Sequence, residues 1–166
     1  MCQDLLTADP KSAQFHTWLG ILRSQRGEKE AAAESFATAA ELSPQTPFLL
    51  SNLGITYWRM QDFPKSIDKL EDAFLSQQFP EYRDNLAYVL MNVGMALAVR
   101  NEHSDALACL SRVALLQPGN PVAHLNLGHV YQAMGQSDMA KASYQKALDV
   151  APKFTPARTA LDRLKQ

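Results

Sequence analysis

Residues 121–152 read PVAHLNLGHVYQAMGQSDMAKASYQKALDVAP, and this stretch decides the fold. Apolar residues recur three and four apart through both halves, the spacing of a helix with one buried face. Gly135-Gln136 splits the stretch in two, because glycine accepts the left-handed conformation that ends a helix. Pro121 stands where the first helix begins, a position that needs no N–H. Pro152 closes the second helix, since the residue ahead of a proline is pushed out of the helical region. The spacing predicts helices over 121–134 and 137–150. Gly128 falls in the middle of the first, where glycine costs roughly 1 kcal/mol against alanine. Something must require it there.

The same signs recur along the chain. Glycines fall at Gly20, Gly54, Gly94 and Gly128, separated by 34, 40 and 34. Prolines fall at Pro10, Pro44, Pro118 and Pro152, separated by 34, 74 and 34, and 74 is two periods of 34 plus the same six residues. Two residue types thus report one 34-residue repeat with one insertion. Twelve residues after each glycine come Ala32, Ser66, Ala106 and Ala140; sixteen after come Phe36, Leu70, Leu110 and Tyr144. A cost repeated at one slot predicts close helix–helix contact there, with the alanines facing the glycines and the larger residues filling the space between repeats. Further helices are predicted over 13–25, 29–42, 47–60, 63–76, 80–99, 103–116 and 155–165. Their turns fall at Arg26-Gly27, Gln61-Asp62 and Arg100-Asn101. Gln61 fits its turn least, since glycine and asparagine hold the equivalent slots. Strand signals are absent.

Composition narrows the function. The chain has 16 Lys+Arg against 17 Asp+Glu, a net charge of −1, which excludes nucleic-acid binding by bulk charge. With 46% hydrophobic residues it can build a core. Cys2 and Cys109 make no disulfide framework, and Cys109 reads as a small buried thiol. The longest apolar run, residues 86–99, is too short and too polar for a membrane span. No charged stretch followed by an apolar one opens the chain, so the reading favours the cytoplasm and no membrane insertion. His16, His103, His124 and His129 offer no helical ligand pair; His124 and His129 point about 140° apart on a helix. No phosphate loop, nucleophile pattern or metal spacing is present. The sequence therefore predicts no enzyme, no catalytic residue, no metal and no cofactor.

The strings WLG (residues 18–20), NLG (52–54), NVG (92–94) and NLG (126–128) resemble the first helix of the tetratricopeptide repeat. Tyr57 and Tyr131 three residues later, the downstream alanine and Phe/Tyr slots and the closing proline add to the resemblance. Departures are His16, Leu50, Leu90 and His124 where the family often has tryptophan, and Arg23 in the first repeat's tyrosine slot. The resemblance implies an all-α fold, a right-handed α-solenoid of antiparallel helix pairs. Four repeats are expected at 13–46, 47–80, 87–120 and 121–154, with the insertion at 81–86 lengthening a helix at 80–99; the alternative is that the insertion forms an ordinary loop. Residues 1–12 read as the tail of a preceding repeat, and 155–166 as a capping helix with one apolar stripe through Ala157, Ala160, Leu161 and Leu164.

The resemblance also implies a protein–protein interaction scaffold whose first helices line a concave groove. The residue two before each repeat glycine should face it: Trp18, Asn52, Asn92 and Asn126. Three asparagines in register resemble the asparagine ladder of O-GlcNAc transferase arms, where a carboxamide pairs with both C=O and N–H of an extended peptide. The alternative is that each asparagine satisfies a neighbouring helix. Helical projection adds an apolar wall of Phe48, Ile55, Trp58, Tyr88, Met91, Met95, Val99 and Leu125. The expected ligand is an extended peptide or amphipathic helix of another protein. Self-assembly, or service as the substrate-recruiting arm of a larger enzyme, are the alternatives. Domains that clamp a chaperone's C-terminal carboxylate carry cations at two slots of this wall. Here those slots hold Thr17, Ser51, Met91 and Leu125, and Gln14, Phe48, Tyr88 and Val122, so that specificity is excluded.

Overall fold

Nine helices and no strand are present among the described residues, which in this computed structural model are 9, 11–44 and 46–164. They are α1 (Ala13–Gln25), α2 (Lys29–Leu42), α3 (Pro47–Arg59), α4 (Phe63–Ser76), α5 (Pro80–Val99), α6 (His103–Leu116), α7 (Pro121–Ala133), α8 (Ser137–Val150) and α9 (Thr155–Arg163). Each bound lies within two residues of the sequence expectation. The six-residue insertion is helical, and α5 runs 20 residues without a break. Of the expected tail of a preceding repeat, residues 1–12, positions 1–8 and 10 lie outside the described residues. Asp9 is not helical; its carbonyl accepts from Ser12 N–H at 2.9 Å and leads into the Ser12 cap of α1.

One backbone device ends the first helix of every pair. In α1, the N–H of Glu28 bonds Arg23 C=O at 3.0 Å and that of Gly27 bonds Ser24 C=O at 3.2 Å, with Gly27 at φ +79°. This is the Schellman arrangement. It recurs with Gln61 at φ +64°, Asn101 at +62° and Gly135 at +72°. Gln61 therefore adopts the left-handed turn in full, although its side chain disfavours it. The three-residue links fold each second helix back onto the first. The second helices end in residues that leave the helical region, Ser43, Gln117 and Ala151, each ahead of a proline. Gln77 does the same with no proline after it.

The chain divides into two compact units, Met1–Val89 and Leu90–Gln166. In the first, α1 packs on α2, α2 on α3, and α3 on α4. Its core holds Ala32, Phe36, Ala39, Leu49 and Leu53, with a second cluster of Leu50, Ala73 and Tyr82. In the second unit, Ala106, Leu110, Leu127 and Val130 form one cluster. Tyr144, Ala147 and Leu148 form another, covered by Ala157, Ala160 and Leu161 of α9.

The glycine slot is where helices meet, but its partner differs from expectation. A Cβ on Gly54 would stand 2.7 Å from Leu70 Cγ and 3.1 Å from the Ser66 carbonyl oxygen; one on Gly94 would stand 2.9 Å from Leu110 Cγ. Gly20 lies likewise against the Phe36 ring and Gly128 against the Tyr144 ring. The large residue sixteen positions on supplies the nearest atom to each glycine, and at Gly54 the backbone of Ser66, at twelve, stands close as well. A bulky side chain at a helix crossing fits only where the other helix has no side chain. The alanines are fully buried beside it.

Candidate functional site

In the first unit the candidate residues sit on α1, α3 and the start of α5. Trp18 is half-buried, and its indole Nε1 is buried without a hydrogen-bond partner among the described residues. It borders a cavity of about 330 Å³ between α1 and α3, together with Gln14, Thr17 and Phe48. Phe48 is 45% exposed. Asn52 follows one turn later, and its Nδ2 donates to Phe48 C=O at 2.7 Å, within its own helix. That bond uses one amide proton, and a carboxamide carries a second proton and an acceptor besides. Asn52 also borders a second cleft of about 350 Å³ with Ile21, Ser24 and Arg59. Arg59 Nη1 donates to Ser24 Oγ across that cleft at 2.9 Å. Ile55 is half-buried. The Trp58 ring meets Tyr88 edge-on, centroids 5.9 Å apart, and leans on Phe63 at 5.2 Å. Tyr88 is 56% exposed. Asn85 Nδ2 donates to Ser51 Oγ at 3.1 Å, tying α5 to α3.

In the second unit Met95 is exposed and Asn92 and Met91 are half-buried. Asn126 Nδ2 contacts Met91 Sδ at 3.3 Å, a weak acceptor. Val99 at the end of α5 is exposed. Leu125 departs from expectation. It is buried in the cluster of Tyr144, Leu148, Ala157 and Leu161, so it belongs to the core under α9 and not to an open wall. Its neighbour Asn126 is one position, about 100°, further round the helix.

The asparagines thus share a register but not a partner. Asn52 bonds its own helix and Asn126 a methionine of α5.

Departures from the repeat pattern have local explanations. Arg23, in a tyrosine slot, donates from Nη1 to Ala31 C=O at 3.0 Å and to Ser35 Oγ at 2.8 Å, so it bridges α1 to α2 with hydrogen bonds. Leu50 and Leu90 are buried. His124 Nε2 lies 3.2 Å from Pro118 C=O. Burial, and then the Asp105 charge, push the Cys109 thiol up, which suits an inert small side chain. No cluster of three potential metal ligands occurs among the described residues.

A tetratricopeptide-repeat family model matches residues 121–154, and a second matches residues 3–47. Helix pairs, left-handed turns and the glycine crossings coincide with those matches. The chain is a tetratricopeptide-repeat protein. Among curated proteins it is similar to anaphase-promoting complex subunit 3 of Schizosaccharomyces pombe, 25% identical over 85% of this chain and 21% of that protein. It is also similar to human tetratricopeptide repeat protein 17, 29% identical over 72% of this chain and 10% of that one. The chain therefore spans about a fifth or less of these relatives. Among solved structures, a crystal structure of MamA superposes with TM-score 0.64 at 22% identity, covering 94% of this chain and 82% of that one. The anaphase-promoting complex hetero-tetramer Cut9–Hcn1 gives 0.53 at 21% identity, over 93% of this chain and 30% of that one. These likenesses show the tetratricopeptide-repeat solenoid fold. Among the described residues, no helix is long and apolar enough to cross a membrane.

One set of residues escaped the sequence reading. A cavity of about 950 Å³ opens on the other side of α3, between the second helices α2 and α4. The glycine register carries no signal for it, because it arises from the spacing of α2 and α4.

Proposed function

We propose that this chain is a protein–protein interaction scaffold, and that the first-helix face of its N-terminal unit holds an extended peptide. Relatives named as subunits of a multiprotein complex support the scaffold role. The observation that carries the peptide face is the exposed pair Phe48 and Tyr88, with half-buried Trp58 against Tyr88, beside a carboxamide at a cleft. Exposed aromatic surface of this kind marks interaction sites. Asn52 offers a donor and an acceptor to the C=O and N–H of one peptide residue, a pair of bonds that each net about 0.5–1.5 kcal/mol. Trp18, Ile55, Trp58 and Tyr88 supply apolar contact to side chains. In the second unit Asn92 and Asn126 hold the slot of Asn52 and Met95 that of Ile55, and together with Met91 they are assigned the same role there.

The test is selection from a random peptide display library against the whole chain, then titration calorimetry with the selected peptides. Asn52→Ala should weaken peptides of unrelated sequence by similar factors, about 2- to 10-fold. Trp58→Ala should change which sequences are preferred. Wild-type affinity in the double variant Asn52→Ala/Trp58→Ala would remove this face from the proposal.

A further inference from the structure

We propose that the furrow between α2 and α4 is a second docking surface, for about two turns of a basic amphipathic helix from another protein. It goes beyond the first-helix face and shares no residue with it. Leu50, Leu53 and Tyr57 of α3 make its floor. Ala37 and Ala40 line one wall. Between these short side chains and α4 lies a cavity of about 950 Å³ open to solvent. On the opposite wall Leu75 stands 73% exposed beside this apolar floor. The lined stretch of α4, residues 69–76, is about 10–12 Å long at 1.5 Å per residue, the length of two helical turns. An occupant with apolar residues at i, i+3, i+4 and i+7 would set one stripe against Leu53, Tyr57 and Leu75.

Charge at the rim selects the occupant. Glu41 stands exposed on the α2 side, and half-buried Asp72 on the α4 side. The cation lining the furrow, Lys69, already binds Asp68 at 2.9 Å and Asp72 at 3.0 Å. Two carboxylates therefore line the furrow against one ammonium, and that ammonium is engaged by Asp72 and by Asp68 beside it. Lysines or arginines flanking an apolar stripe meet complementary charge here, while an acidic segment meets repulsion.

The probe is a fluorescein-labelled peptide of about 14 residues, four helical turns, with leucines at helical spacing and lysines elsewhere. A second peptide carries glutamates in place of the lysines. Binding is read by fluorescence anisotropy with the whole chain. Leu115 occupies in the third repeat the slot that Leu75 occupies in the second, and it is also exposed, so Leu115→Asp is a matched control. Leu75→Asp should raise Kd for the lysine peptide about tenfold or more, and Glu41→Lys about threefold. Leu115→Asp and Trp58→Ala should leave it unchanged, and thermal melts should show both furrow variants folded. Failure of the first-helix face would show in Asn52 and Trp58 variants alone, so the two readings are separable. The proposal is overturned if the lysine peptide does not bind, if the glutamate peptide binds as well, or if Leu115→Asp is as damaging as Leu75→Asp. It is also overturned if light scattering finds a dimer that Leu75→Asp dissolves, which would give the furrow to a second copy of the chain.

Discussion

At the residue scale, the repeated glycine has a steric cause that a single substitution tests. Gly54→Ala would place a methyl group 2.7 Å from Leu70 Cγ, with the Ser66 backbone oxygen 3.1 Å away on another side. Leu70 is fully buried and has nowhere to retreat. Overpacking of this kind costs about 1–3 kcal/mol. Gly119 lies in a loop with nothing within 4 Å of the added atom, so Gly119→Ala should change stability by less than about 0.5 kcal/mol. Equal urea midpoints for the two variants would refute the account. Tyr144 gives a second residue-scale expectation. It is fully buried and donates its O–H to Gln132 Oε1 at 2.7 Å. Burial pushes its pKa up to about 12, against about 10 in an unfolded chain. The fold thus favours the neutral phenol. That stabilisation is complete below about pH 10 and is lost as pH rises toward 12. The stability gap between wild type and Tyr144→Phe should therefore narrow from pH 9 to pH 11 in urea titrations. A gap that stays constant would show that Tyr144 titrates as it does unfolded.

At the scale of the element, the turn inside each helix pair is the best test of what the sequence made legible. Gly27, Asn101 and Gly135 advertise a left-handed residue; Gln61 does not, yet it takes φ +64° and the same two bonds close the turn. The tertiary fold imposes the conformation, and the side chain costs roughly 1 kcal/mol there. Gln61→Gly should raise stability by about 0.5–1 kcal/mol, and Gly27→Ala should lower it by about 1 kcal/mol. If Gln61→Gly does not shift the urea midpoint upward, the turn stores no strain. The long helix α5 was legible because nothing between Glu81 and Val99 has turn chemistry. Side-chain direction was less so. A helical projection places Leu125 on an open wall, but α9 packs over it, and that contact follows from tertiary structure. Asn52 shows the same limit from the other side: its register is plain in the sequence, while its bond to Phe48 C=O depends on which rotamer the local packing allows.

At the scale of the whole molecule, the period was legible because each repeat solves the same packing problem, so glycine, large residue and proline return together. The furrow between α2 and α4 was not, because small residues at Ala37 and Ala40 look like core until the helix spacing is known. A chain built of repeats that contact only their neighbours should lose stability locally when one element is removed. α9 tests this. It buries Ala157, Ala160 and Leu161 against Tyr144 and Leu148. Ending the chain at Lys153 would uncover that cluster and should cost about 3 kcal/mol of apolar burial. Both tryptophans, Trp18 and Trp58, lie in the first unit, so tryptophan fluorescence reports on that unit while far-ultraviolet circular dichroism reports on all helices. The truncated chain should show a larger fall in the dichroism midpoint than in the fluorescence midpoint, and should bind a hydrophobic dye at temperatures where the full chain does not. Equal shifts of the two midpoints would mean that the repeats unfold as one cooperative body, and nearest-neighbour stability would not describe this protein.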